Sequence, residues 1–153
     1  MTVCTTSHLK VQAELMRVQC EWYVELHAET QSKDGSTVIA SDENGTIYFF
    51  QRFQGNFQRW GLPLETGLYG IVSLALDRDR LAVFDQYQGL QIFRQFGKWH
   101  REDIRPFQPL FSIQKMSWIT DDCLKCVDQM NRAFTVKRQH TFWRKRPYWI
   151  WTN

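Results

Sequence analysis

The chain has 153 residues, enough for one domain with its own core, and its 43% hydrophobic and 15% aromatic content, with only eight Gly and four Pro, excludes a disordered or low-complexity chain. No apolar run approaches the roughly 18–20 residues of a membrane-spanning helix, and "MTVCTTSHLK" lacks the basic start and apolar centre of a secretory leader, so a cytoplasmic protein is expected. The net charge of +3 is unevenly spread: from Arg132 to Asn153 there are six Lys or Arg and no acid, which leaves residues 1–131 at −3 by difference from the total.

Residues 1–20 fit two patterns. "HLKVQAELMRVQ" reads as a helix through Leu9, Val11, Leu15, Met16 and Val18, and as a strand through the alternation of Leu9, Val11 and Ala13. From Glu21 the character is β, and residues 21–153 are expected to form a single all-β repeat domain. "WYVELHA" alternates, and runs rich in Val, Ile, Tyr, Phe and Thr follow, separated by turn signals such as "KDGS", "DENG" and "QGN".

The middle of the chain sets a template. Tyr69–Leu76 reads as a strand, "DRDR" as a tight turn, Leu81–Phe84 as a second strand and "DQYQG" as another turn. Leu90–Phe96 is then a third strand and "GKWHREDI" a shorter, more polar fourth. Forty-three residues earlier stands "VIASDENGTIYFFQRF", and forty-three later "LKCVDQMNRAFTVKRQ", so that Asp42, Asp85 and Asp128 fall in register. The first unit departs in its longer first turn, Gln31–Ser36; the third is expected to run through "FSIQKMSWI", "CLKCV", "RAFTVKRQ" and a fourth strand "HTFWRKR". Pro63, Pro106 and Pro109 mark the connections, giving units of about 21–64, 65–108 and 109–153.

Four-stranded repeats of about 40–45 residues predict propeller blades. "YGIVSLALDRDRLAVFDQYQGLQIFRQFGKW" resembles a blade of the β-propeller superfamily, nearest to the integrin-type FG-GAP pattern, with WD-repeat blades a vaguer likeness. The resemblance implies an all-β, rigid interaction platform. The calcium of some FG-GAP blades is not expected, because "DRDR" and "DENG" offer too few oxygens for an ion that takes ~6–8, and Phe84 and Val127 replace the pattern's Gly. Propellers close with typically four to eight blades, so three predict a partial propeller completed by self-association or by a partner. The alternative is a β-trefoil, which also has three four-stranded repeats. "GNFQRW" echoes the Gln-x-Trp element of lectin trefoils, and Trp60, Trp99 and Trp143 would then be the carbohydrate platforms.

No catalytic signature stands out: there is no Gly-rich phosphate loop, no G-x-S-x-G and no H-E-x-x-H, and His100 near Glu102 and Asp103 reads as a surface strand end. The three recurring Asp read as turn fixtures that accept backbone N–H groups. "CLKC" has zinc-knuckle spacing, but in a strand its two sulfurs face opposite sides. With only Cys4, Cys20, His8, His27, His100 and His140 as further ligands, no metal or cofactor is expected and the thiols are read as free. The basic tail carries more chemistry. Lys137, Arg138, Arg144, Lys145 and Arg146 interleave with Phe142, Trp143, Tyr148, Trp149 and Trp151, a composition suited to an anionic surface, nucleic acid or acidic membrane; alternation in "YWIW" argues instead that part of it packs. The expectation is a non-enzymatic interaction or assembly scaffold, binding a protein partner or a second copy and using Lys137, Arg138, Trp143, Arg144, Lys145 and Arg146 for the anionic contact. The alternatives are a trefoil lectin or a nucleic-acid-binding protein.

Overall fold

A computed structural model describes residues 26–105, 109, 111–143 and 145–152. The segment 1–20 and most of the strand expected from Glu21 lie outside the described residues. Those described form strands and turns with no helix.

Three four-stranded antiparallel units follow one another. The first comprises β1 (Leu26–Gln31), β2 (Thr37–Asp42), β3 (Thr46–Phe53) and β4 (Asn56–Arg59), and β5 (Leu64–Glu65) adds two residues to β3 beyond β4. The second comprises β6 (Ile71–Asp77), β7 (Arg80–Asp85), β8 (Gly89–Phe96) and β9 (Lys98–Ile104); the third, β10 (Ile113–Thr120), β11 (Cys123–Asp128), β12 (Ala133–Gln139) and β13 (Tyr148–Thr152). The first strands are neighbours, with β6 packed against both β1 and β10. This is a partial β-propeller: the repeats stack side by side, and the trefoil alternative gives way to the blade reading.

Strand alternation explains how one unit serves two cores. In β7, Leu81 and Val83 point to one side and join Ile39, Ile47 and Phe49 of the first unit, while Ala82 and Phe84 point to the other and join Ile113, Trp118 and Leu124 of the third. Every residue of β7 is therefore buried. Side chains that reach across units hold the stack together: the Trp118 indole donates to the Ala75 carbonyl (3.2 Å) and the Ser73 hydroxyl to the Ile113 carbonyl (3.0 Å). In the long first turn, the Lys33 N–H donates to Leu76 O (3.0 Å) and its ammonium to Ile119 O (3.3 Å), so one residue touches all three units.

The structure corrects the fourth strand of the third unit. It is β13, "YWIWT", and the described residues of "HTFWRKR" form no strand. Pro147 cannot donate to a ladder, whereas the strand after it is covered on both faces, with Tyr148 and Trp149 buried, and pairs with β12. A second consequence is non-local: β13 also runs parallel to β9, aligning Tyr148 with Asp103 and Trp149 with Ile104, and the Arg105 N–H donates to the Trp149 carbonyl at 2.9 Å. The outer edges of the second and third units are thus stitched together, while β4 has no further strand beside it among the described residues.

Candidate docking surfaces

The three aspartates in register each close a second strand, and all are buried. Asp42 Oδ1 accepts the N–H of Asn44 and of Thr46 (both 2.9 Å); Asp85 Oδ1 those of Tyr87 and Gln88 (both 2.8 Å); Asp128 Oδ1 those of Met130 (2.8 Å) and Arg132 (2.9 Å). The second oxygens differ, accepting from the Tyr48 hydroxyl, the Gly70 N–H and the Arg132 guanidinium in turn. Burial pushes the Asp128 carboxyl up, but the N–H and guanidinium of Arg132 and the Met130 N–H outweigh it and hold the group below the usual carboxylate range. Tyr48 is raised to about 12 by burial and by its bond to Asp42. These carboxylates fix turns and have no spare oxygen pointing to solvent.

At the seam between the second and third units, Arg138 donates to Glu102 Oε2 at 2.9 Å and approaches Asp122 at 3.8 Å, and the Trp149 indole donates to Glu102 Oε1 at 3.2 Å. Arg138 therefore sits neutralised inside the fold. Both Glu102 oxygens are thus engaged by Arg138 and Trp149, while His100 is exposed.

The remaining tail residues behave differently. Between β12 and β13 lies a loop from His140 to Pro147, where the second unit has only Gly97. Phe142 and Trp143 on that loop are 94% and 88% exposed, their ring centroids 5.3 Å apart and nearly perpendicular. Lys145 and Arg146 follow, exposed, and Lys137 is exposed on β12; Arg144 lies outside the described residues. The basic aromatic tail thus divides into a packed strand and an exposed loop.

A cleft of about 520 Å³ opens between the first two units. Trp99 is half-buried there, stacked on Phe49 with centroids 5.6 Å apart and planes 9° from parallel, while Trp60 and Leu62 stand at its wall, 61% and 88% exposed. Arg78 and Lys98 contribute its charges. Two of the three tryptophans considered as platforms therefore share one cleft, and Trp143 lies on the third unit. The cleft's cations were not singled out from the sequence: Arg78 reads as a turn residue, and nothing in the 43-residue period relates Trp60 to Trp99.

Cys126 is buried and Cys123 half-buried, on opposite faces of β11. Burial first, and then the neighbouring Cys123, push the Cys126 thiol up to about 12. Among the described residues no group of three or more His, Cys, Asp or Glu is placed to hold a metal.

No family model matches the chain, and no curated protein matches it. Solved structures do. Hsv2 of Kluyveromyces lactis, a β-propeller, is 18% identical with a TM-score of 0.60, over 84% of this chain and 46% of that one. A form of the same protein with its loop 6CD replaced by a Gly-Ser linker is 20% identical with a TM-score of 0.62, over 84% and 44%. The chain spans less than half the length of these propellers, and at such identity the likeness is one of fold.

Proposed function

We propose that the chain is a cytoplasmic, non-enzymatic docking scaffold: a rigid propeller-like platform that presents loop 140–147 to an anionic surface and its open strand edge to a protein partner or a second copy. The observation that carries this is the Phe142–Trp143 pair, two large rings side by side and almost wholly in water, next to Lys145 and Arg146 and with no acid from Arg132 onward. Apolar area of this kind, held out on a loop between two anchored strands, is unfavourable unless something covers it. Cations draw the platform to negative charge, and the rings then settle among headgroups or against bases. At the other end, β4 has no further strand beside it among the described residues, which leaves a place for strand addition, the way further blades or another polypeptide would join. Binding of this sort needs no turnover.

The test is co-sedimentation of the full chain with vesicles containing phosphatidylserine, set against pure phosphatidylcholine, and in parallel its binding to a single-stranded oligonucleotide. Binding to one of the anionic partners should weaken steeply with salt, and should drop at least about tenfold in Phe142→Ser/Trp143→Ser or Lys145→Glu/Arg146→Glu. Since these side chains are exposed, the variants should keep the wild-type melting temperature. Unchanged binding in them would remove the loop from the proposal, and no binding to either anion would remove the anionic surface.

A further inference from the structure

The cleft between the first and second units carries a chemistry separate from that of the loop. Its floor is the stacked Phe49–Trp99 pair and its wall Trp60 and Leu62, so it is aromatic and aliphatic at the centre. Both of its charges are positive. No Asp or Glu lines it, and among the described residues neither Arg78 nor Lys98 takes part in an ion pair. Two acids flank Arg78 in sequence: Asp79 is already held by Arg80 at 2.9 Å and approached by Arg94 at 3.9 Å, while Asp77, with Asp34, Asp121 and Asp122, lines a neighbouring pocket that Arg78 also borders, and none of them lines the cleft.

Two backbone features sharpen the picture. Arg78 has φ of 54°, a left-handed conformation that side-chain-bearing residues seldom adopt, in the short turn between β6 and β7. Gly61 and Leu62, between β4 and β5, are exposed and make no hydrogen bond among the described residues, so their main-chain N–H and C=O groups are open to a ligand at the lip. Gln51 and Gln95 add side-chain amides on the lining.

We infer that this cleft binds an extended acidic peptide. A large apolar side chain of the peptide enters between Trp60 and Trp99, flanking carboxylates pair with Arg78 and Lys98, and its backbone bonds to the exposed main chain of Gly61 and Leu62. The volume of about 520 Å³ lies within the roughly 300–1,000 Å³ of ligand sites and accommodates a few residues. Charge complementarity favours the anion, because the cleft lining holds two cations and no acid, so an acidic segment adds charge-assisted contacts to the apolar one, a neutral segment gains only the apolar contact and a basic one is repelled. A peptide matches the main chain of Gly61 and Leu62 with its own N–H and C=O groups and also carries the carboxylates that an uncharged sugar lacks.

The probe is the fluorescein-labelled peptide Asp-Glu-Phe-Asp-Glu, titrated by fluorescence anisotropy against the full chain beside Lys-Lys-Phe-Lys-Lys, Asp-Glu-Ser-Asp-Glu and an uncharged oligosaccharide, while the Trp60 and Trp99 indole N–H resonances are followed by NMR. Saturable binding of the acidic aromatic peptide alone is expected, with shifts at Trp60 and Trp99 and none at Trp143. Arg78→Gly, which relieves the left-handed backbone, and Lys98→Gln should each weaken it about tenfold, as for loss of one charge-assisted contact. Trp60→Ala should do the same, and Met130→Ser, on the distant β11–β12 turn, should do nothing. Failure to bind, equal binding of the basic peptide or the oligosaccharide, indifference to Arg78→Gly and Lys98→Gln, or shifts confined to Trp143 would each overturn the assignment. None of these outcomes depends on what loop 140–147 does.

Discussion

Arg138 and Glu102 stand thirty-six residues apart in the chain and meet at 2.9 Å across the seam of the second and third units, their side chains 11% and 13% exposed. Glu102 also accepts from the Trp149 indole, so its carboxylate is used on both oxygens. Removing one partner leaves the other charge dehydrated without compensation, which costs about 3–5 kcal/mol for buried pairs. Arg138→Ala and Glu102→Ala should therefore each lower the urea unfolding free energy by that order, and the double variant should cost less than their sum. Strict additivity in this double-mutant cycle would show that the two residues do not act as a pair.

Asp128 and Tyr48 give the stability profile opposite limbs. The folded pKa of Asp128 is depressed, so its contribution is present above the unfolded value near 3.9 and is lost as pH falls through the lower folded one. Tyr48 is raised from 10 to about 12, so its contribution is complete below pH 10 and disappears as pH climbs between those values. Denaturation midpoints measured across pH should fall at both ends. Asp128→Asn should flatten the acid limb and Tyr48→Phe the alkaline one; an acid limb unchanged in Asp128→Asn would assign it to other carboxylates.

Gly45 and Gly35 both hold positive φ, 78° and 74°, but only one is crowded. A Cβ at Gly45 would collide with the Leu68 carbonyl and come within 2.8 Å of the Thr66 hydroxyl, which itself donates to Gly45 O; at Gly35 it would meet nothing. Gly35→Ala should thus cost only the left-handed penalty of about 1–2 kcal/mol, and Gly45→Ala at least about 3 kcal/mol, because Leu68 is fixed backbone in the core. Thermal melts of the pair decide it, and equal losses would mean that the β5 region yields to the added methyl.

The 43-residue period made the hairpins legible, since an Asp that closes a strand and opens a turn acts through bonds to residues two to four positions on. Periodicity of that kind reports local structure. It extended the template wrongly to "HTFWRKR", because the third unit inserts a loop where the second has a single Gly, and the true fourth strand lies after Pro147. It was silent on the β9–β13 pairing and on the Trp60–Trp99 cleft, both of which join residues the repeat does not relate. Arg138 shows the same boundary from the other side. By composition it belongs with the basic tail, but its place in β12 aims it at Glu102, while Lys137 beside it points to water.

Strand alternation also sets the chemistry of the two thiols in "CLKC". Cys126 is fully buried with its pKa raised to about 12, so it is a neutral thiol at ordinary pH and a poor nucleophile, while Cys123, half-buried on the other face, keeps access to solvent. In a background with Cys4 and Cys20 replaced by Ser, one equivalent of thiol should react with an aromatic disulfide reagent at pH 8 in the folded protein, and a second only on unfolding. The rate of the second reaction, measured against denaturant, then reports opening of the core between the second and third units, where Cys126 packs among Trp118, Leu124 and Val136. Two equivalents reacting at once without denaturant would mean that this core opens far more readily than its burial implies. A second-phase rate that slows in step with stabilising conditions would tie the thiol to global unfolding, and Arg138→Ala, by loosening the same seam, should accelerate it.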